Sequence, residues 1–220
     1  KTRNYAYGYD INSSYSYAMI QDMPNTKVRP RVYSKIQENE LGFCIEEGKL
    51  ICYEEIGKFC DFVFPRMESP FKRFVEVWYK RKKNAKDKLE KKKAKEILNF
   101  SIGYLQKVNP FIRARIISFA NKVISDLIDE NTLLCSTDSI ISLTEIKDIN
   151  IGTDLGQFKE EKRGLFAYKD MNYQWDFETP KYRGVSKNWF KPGWDILVDK
   201  LPITGNLVKF NVRKGIFEEA

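Results

Sequence analysis

From Asn4 to Asp10 the tyrosines Tyr5, Tyr7 and Tyr9 alternate with smaller residues, a period of two that predicts a β-strand ending on a carboxylate. Asn12-Ser13-Ser14 stops that strand and can cap a short helix running through Tyr17 to Ile20. Met23-Pro24-Asn25 predicts a turn, and Val28 to Val63 reads as short strands with a hairpin connection at Glu46 to Gly48. After Pro65 the apolar period lengthens to that of a helix. Phe74, Val77 and Trp78 form one stripe, and a second run, about Asp87 to Gly103, carries Leu89, Ile97 and Leu98. Together they predict an antiparallel helical hairpin broken near Lys83 to Lys86. Pro110 opens a third helix whose Ile112, Ile116, Ala120, Val123, Leu127 and Ile128 fall at helical spacing and predict core. Asp129-Glu130-Asn131 ends it. Two apolar runs, Leu133 to Ser136 and Ile140 to Leu143, then flank Thr137-Asp138, which predicts a β-hairpin with a carboxylate at its tip. Beyond Gly152 the chain turns aromatic and basic, with Trp175, Trp189, Phe190 and Trp194, and Gly205-Asn206 is a late hairpin signal. A compositional shift near Gly156 marks the one candidate boundary.

The 220 residues suffice for one compact unit or two small ones, and no apolar run approaches the roughly 20 residues needed to span a bilayer, so no membrane partner is expected. Lys1 in first place, without a leader-like segment, gives the expectation of a fragment or processed chain of intracellular origin. Cys44, Cys52, Cys60 and Cys135 show no paired spacing and read as buried reduced thiols. Histidine is absent, which removes Ser-His-Asp and Cys-His catalysis and the usual zinc sites. Chemistry must therefore rest on carboxylates, lysines, tyrosines and bound ions. The net charge of +8 is concentrated: Lys80 to Glu96 holds ten basic against three acidic residues, leaving the remainder close to neutral. A local basic patch on a neutral body points to a polyanion, although a solvated charged helix has the same composition.

Asp10 and Asp138 lie 128 residues apart but become neighbours if their strands pair. Two ionised carboxylates at ~4 Å repel by about 4 kcal/mol at an effective dielectric of about 20, which divalent cations between them would relieve. Taken singly, each aspartate also fits turn formation or strand capping. Lys91 and Lys95 share a helical face with Asn99 one turn further on, a surface able to clamp a triphosphate, and Lys83 falls near the hairpin tip. Lys82, Lys88 and Lys92 read equally well as solvating residues. Tyr15, five residues after Asp10, offers a flat phenol to a sugar ring or, equally, to the core.

Three patches in fixed order carry a family resemblance. Asp10-Ile11-Asn12-Ser13-Ser14-Tyr15 resembles motif A, Lys95 to Gly103 motif B, and Ser136-Thr137-Asp138-Ser139 motif C of family B DNA polymerases, most closely the protein-primed branch of phages and linear plasmids. The likeness runs, with gaps, from about Tyr5 to about Lys187 and covers the polymerase half of that family. It implies an α+β right-hand fold: an antiparallel-sheet palm in residues 1–69 and 110–155, helical-hairpin fingers in 70–109, and a reduced thumb in 156–220. It implies Asp10, Asp138 and the Ile11 carbonyl as ligands of Mg2+, with Mn2+ as its substitute. Tyr15 would be the sugar gate, Lys83, Lys91 and Lys95 the triphosphate contacts, and Asn99 the motif B asparagine. Lys169 to Tyr173 resembles the primer-gripping lysine–tyrosine motif, and Lys181-Tyr182-Arg183-Gly184 the basic approach to the thumb. The implied partners are primer–template DNA, deoxynucleoside triphosphates and a terminal protein primer, in host cytoplasm.

The departures are specific. Ser136 replaces the first aspartate of motif C, Phe100 and Ile102 replace the serine and tyrosine of motif B, and Ser16 replaces the proline of motif A. Tyr104 to Asp138 leaves little room for a strand-displacement insertion, so high processivity is not expected. Two other classes stay open: a polymerase-derived module that binds DNA without synthesis, and a replisome-assembly protein.

Overall fold

The computed structural model of the chain describes residues 4–169, 172–176, 208–211 and 216–219. The order of elements is β1 (Asn4–Ile11), α1 (Ser14–Met19), β2 (Met23–Pro24), β3 (Arg31–Lys35), β4 (Glu40–Glu46), β5 (Lys49–Tyr53), β6 (Phe59–Met67), α2 (Lys72–Lys83), α3 (Lys88–Val108), α4 (Pro110–Ser125), β7 (Thr132–Cys135), β8 (Ser139–Ser142), β9 (Phe158–Lys169), β10 (Asn172–Trp175), β11 (Val208–Asn211) and β12 (Ile216–Glu219). The strands form two five-stranded antiparallel sheets and a separate β11–β12 pair. The first sheet runs β10-β9-β1-β8-β7; in the second, β2, β6, β4 and β5 lie in that order and β3 also pairs β6. This is a mixed α/β fold with segregated helices. No helix among the described residues is long and apolar enough to cross a membrane.

Alternation along β1 sets the first sheet's two faces. Tyr9 and Ile11 join Ile140 and Phe158 beneath the C-terminal half of α4, where Ile124 is buried. Ala6 points to the other face, with Ile141, Phe166 and Trp175. Gly8 lies on that face too, and a Cβ there would run into the Trp175 ring. Asp10 therefore emerges on this second face, at the strand's C-terminal end.

Helix α4 reaches all three layers. Its Ile112, Ile116 and Ala120 pack with Ala18 and Met19 of α1, Val75 of α2 and Ile102 and Leu105 of α3. Its Ala114 and Phe111 meet Leu41, Phe43 and Phe64 of the second sheet. Arg115, almost wholly buried, donates to the Asp22 carbonyl and to Glu54, which also receives Arg66 at 2.9 Å. Burial alone would raise the Glu54 carboxyl, but the two guanidinium groups more than offset it and hold it below its ordinary range. Removing the carboxylate leaves a buried guanidinium short of its counter-charge. Glu54→Ala is expected to cost about 3 kcal/mol in urea unfolding; a loss under about 0.5 kcal/mol would mean that water or Asp22 satisfies Arg115 unaided.

Several expectations are corrected. Met23-Pro24 is a short strand on β6, not a turn. Strand β6 runs through Pro65, which the missing N–H permits because β6 changes partners there, from β3 up to Val63 to β2 from Arg66. Val77 and Leu89 are exposed, and the buried residue of α2 is Val75. Ile128 is likewise exposed, and α4 ends at Ser125, before the Asp129-Glu130-Asn131 stop. Cys135 is exposed while Cys52 and Cys60 are buried, and all four cysteines are free. Just after the compositional shift near Gly156, β9 joins the first sheet, pairing with β1 from Phe158 to Phe166. The Glu46–Lys49 hairpin forms as expected, Glu47 and Gly48 both taking the left-handed φ that such a two-residue loop requires. Gly205-Asn206, Trp189, Phe190 and Trp194 lie outside the described residues.

Candidate active site

Pairing of β1 with β8 brings the two distant aspartates together. Asp10 stands opposite Ser139, and the Ile11 N–H donates to the Asp138 carbonyl at 2.8 Å. The Ser136 N–H donates to the Ser139 carbonyl at 2.8 Å, closing a tight β7–β8 turn with Thr137-Asp138 at its tip. Asp138 is exposed and Asp10 half-buried. Burial first, then the Asp138 and Glu161 charges, push the Asp10 carboxyl up to about 6, against the pull of Lys159 and Lys95. Its elevation records burial first and the neighbouring carboxylates second.

The turn after β1 is held from several sides. The Asn12 N–H donates to Gln157 O at 2.9 Å, its side-chain amide donates to Gly152 O at 2.8 Å, and its carbonyl accepts from the Gly156 N–H at 3.0 Å. Gly156 takes a left-handed φ of 79°, and a Cβ there would strike the Tyr17 ring. Within the Asn12-Ser13-Ser14 cluster expected to cap α1, Ser13 takes the N-cap position in a left-handed conformation and makes no side-chain cap bond. Its hydroxyl accepts from Lys82 Nζ at 2.5 Å instead.

Asp10, Ile11, Tyr15, Lys91, Lys95, Asn99 and Asp138 all line one cavity of about 660 Å³ between the end of the first sheet, α1 and α3. All three sequence patches thus converge on it. Tyr15 is half-buried and packs its ring against the helical core while also facing the cavity, so both of its readings hold together. Ile102 sits in that core and lines the cavity, whereas Phe100 points away and is 75% exposed.

Two sequence-derived assignments fall elsewhere. Lys83 is outside the cavity, its ammonium paired with Asp154 at 2.5 Å, and Tyr79 of the same helix donates to Thr153 O at 2.9 Å. The cavity-facing residue is Lys82, half-buried, its ammonium lowered by burial and by the nearby Lys95, Lys91 and Lys159 charges. Tyr173 lies far from Asp10: it pairs with Tyr168, beyond the Phe166–Asn4 pair at the opposite end of β1, and its ring packs on Phe166 at 5.7 Å. Lys169 is at the same β9–β10 connection. Lys181 and Gly184 lie outside the described residues. Sequence reasoning missed Lys159 and Arg113, which also line the cavity. The Arg113 Nε is buried without a partner among the described residues.

Among the described residues no group of three or more His, Cys, Asp or Glu side chains gathers as a metal cluster. The donors at hand are two carboxylates and, at Ile11, a backbone carbonyl. An all-oxygen set this sparse suits Mg2+, which keeps water and substrate phosphate among its ligands. With the lysines opposite, the cavity can hold a polyanion between an acidic floor and a basic wall.

No protein-family model matches the sequence, and a comparison with curated proteins found no match. Solved structures do match. Phi29 DNA polymerase complexed with primer-template DNA and incoming nucleotide substrates is 18% identical with a TM-score of 0.58 over 79% of this chain. The same polymerase with primer-template DNA alone is 17% identical, with a TM-score of 0.57 over 77% of this chain. The chain spans 46% and 44% of those two structures' own length. At that identity the likeness is one of fold: the chain shares its mixed α/β architecture with part of phi29 DNA polymerase.

Proposed function

We propose that the chain is the polymerising portion of a template-directed DNA polymerase of the protein-primed family B type. It would add deoxynucleotides to a primer 3′-hydroxyl or, at initiation, to a terminal protein hydroxyl, in the cytoplasm of a phage or plasmid host. One observation carries this reading: residues from three patches spread over 128 positions meet in a single cavity with carboxylates on one side and lysines on the other. The fold shared with part of phi29 DNA polymerase supports it.

In this reading the first sheet is the palm and the α2–α3 hairpin the fingers, and the palm extends past residue 155 through β9 and β10. Asp10, Asp138 and the Ile11 carbonyl would hold Mg2+, or Mn2+ in its place. When bound, the ions supply Lewis acidity to the attacking hydroxyl and to the phosphates. The protein's own contribution is positional. Lys82, Lys91 and Lys95 hold the triphosphate and offset charge on its leaving group. The Tyr15 ring, fixed by its core contacts, closes the cavity beside the sugar, and Asn99 lies on the same α3 face as Lys95. Arg113 brings a further cation to the cavity from α4.

Extension of a labelled primer on a DNA template with Mg2+ or Mn2+, beside an Asp138→Asn control, tests the proposal. Template-directed extension that the substitution abolishes is the expected result. The non-synthesising DNA binder is the second reading, favoured by Ser136, which leaves the hairpin tip with one carboxylate. Tight, salt-sensitive primer–template binding without extension would establish it instead.

A further inference from the structure

We propose that Lys159 is a tethered counter-ion, occupying the cation position beside Asp10 and moving aside before a divalent ion settles there. The inference rests on the reading of Asp10 and Asp138 as an ion-holding pair.

Strand β9 sets Lys159 directly across from Asp10, and cross-strand partners in an antiparallel sheet project to the same face. The Lys159 ammonium lies 3.8 Å from an Asp10 carboxylate oxygen and 2.7 Å from Glu161. This second partner has a structural cause. The β1–β9 register slips between Gly8 and Tyr9: Gly8 faces Lys162 and Tyr9 faces Glu160, which leaves Glu161 as the extra residue of a bulge. Bulges re-aim side chains, and here the bulged carboxylate meets the ammonium two residues before it.

Lys159 therefore has two acidic partners, one at the site and one beside it, the closer being Glu161, and its side chain is 46% exposed. A doubly charged ion arriving at Asp10 is repelled by an ammonium a few ångströms away. The repulsion falls when the ammonium moves off Asp10 while keeping its bond to Glu161. Without substrate, the lysine partly neutralises the acidic pair and weakens its hold on divalent ions. A triphosphate reverses the balance, because it supplies further ligands to the ion and further negative charge for the ammonium. Ion occupancy becomes coupled to nucleotide arrival.

The test is a Mn2+ titration of the full chain without DNA or nucleotide, read by the electron-spin-resonance signal of free Mn2+. Wild type, Lys159→Met and Lys159→Arg are compared, each also combined with Asp10→Asn. Lys159→Met is expected to bind Mn2+ about tenfold more tightly, a figure reduced for the lysine's solvent exposure, with Lys159→Arg close to wild type. The gain should vanish with Asp10→Asn. Equal, Asp10-dependent affinities in wild type and Lys159→Met would overturn the counter-ion role while leaving the two-carboxylate reading intact. No saturable binding in any variant, or binding indifferent to Asp10→Asn, would overturn the reading on which both depend.

Discussion

Asp10→Asn is expected to abolish divalent-dependent primer extension and, in the same protein, to raise the stability of the fold at neutral pH. Both effects follow from where the strand ends. Asp10 is half-buried beside Asp138 with Glu161 also in range, and its carboxyl is raised from 3.8 to about 6. A carboxyl that holds its proton more firmly when folded than when unfolded adds most to stability when protonated. That contribution is lost as pH rises through the window from 3.8 to about 6. Above the window the ionised group is a standing penalty of at most roughly 3 kcal/mol, less for the screening that its exposed edge allows. Asparagine keeps the shape and removes the charge. In urea unfolding with a chelator present, Asp10→Asn should gain about 1–2 kcal/mol at pH 7.5, and the gain should shrink toward zero near pH 4. A variant less stable than wild type at pH 7.5, or a gain that ignores pH, would show that Asp10 makes structural bonds outweighing its charge. A residue whose charge destabilises the fold but is needed for extension is held there for chemistry, not for folding.

Much of this architecture was legible because its signals are local. The tyrosine alternation in Asn4 to Asp10 sets β1, Pro110 and the isoleucine spacing set α4, and the apolar runs around Thr137-Asp138 set the β7–β8 hairpin. The adjacency of Asp10 and Asp138 was legible only conditionally. Pairing of strands 128 residues apart depends on register, which the sequence of either strand does not encode by itself. Lys159 was hidden for the same reason: its place opposite Asp10 depends on β9 joining β1, and its bond to Glu161 on a one-residue bulge. The exposed Val77 and Leu89 mark another limit. Apolar spacing gives a helix its stripe, but in a segment this rich in lysine the long charged side chains can cover apolar surface as well, and the phase is ambiguous. The residues that resemble the primer grip lie outside the cavity that holds Asp10. Lys169 ends β9 and Tyr173 lies in β10, at the end of the first sheet opposite Asp10, a placement set by the β1–β9–β10 register and not by the motif itself.

Helix phase also decides the second large effect, the contrast between two adjacent lysines. The family resemblance implied Lys83 as a triphosphate contact, because with Lys91 and Lys95 it falls at the family's spacing counted along the chain. The break between α2 and α3 interrupts that count. Lys82 faces the cavity on Ser13, and Lys83 turns outward to Asp154. Lys82→Ala is expected to raise the nucleotide KM in single-nucleotide incorporation by about ten- to a hundredfold, the loss of a hydrogen bond to a charged group. It should not destabilise the protein, because the ammonium it removes is half-buried among Lys91, Lys95 and Lys159. Lys83→Ala breaks only an exposed, solvent-screened ion pair, and Tyr79 still bonds to Thr153 O, so KM should stay within about twofold. The reverse order, a large KM effect at Lys83 and none at Lys82, would mean that α2 rotates by about one residue, near 100°, when the nucleotide binds. Equal, small effects at both would place the triphosphate against α3 alone, on Lys91 and Lys95. Only the expected order leaves α2 and α3 each supplying a fixed cation to opposite sides of one phosphate chain.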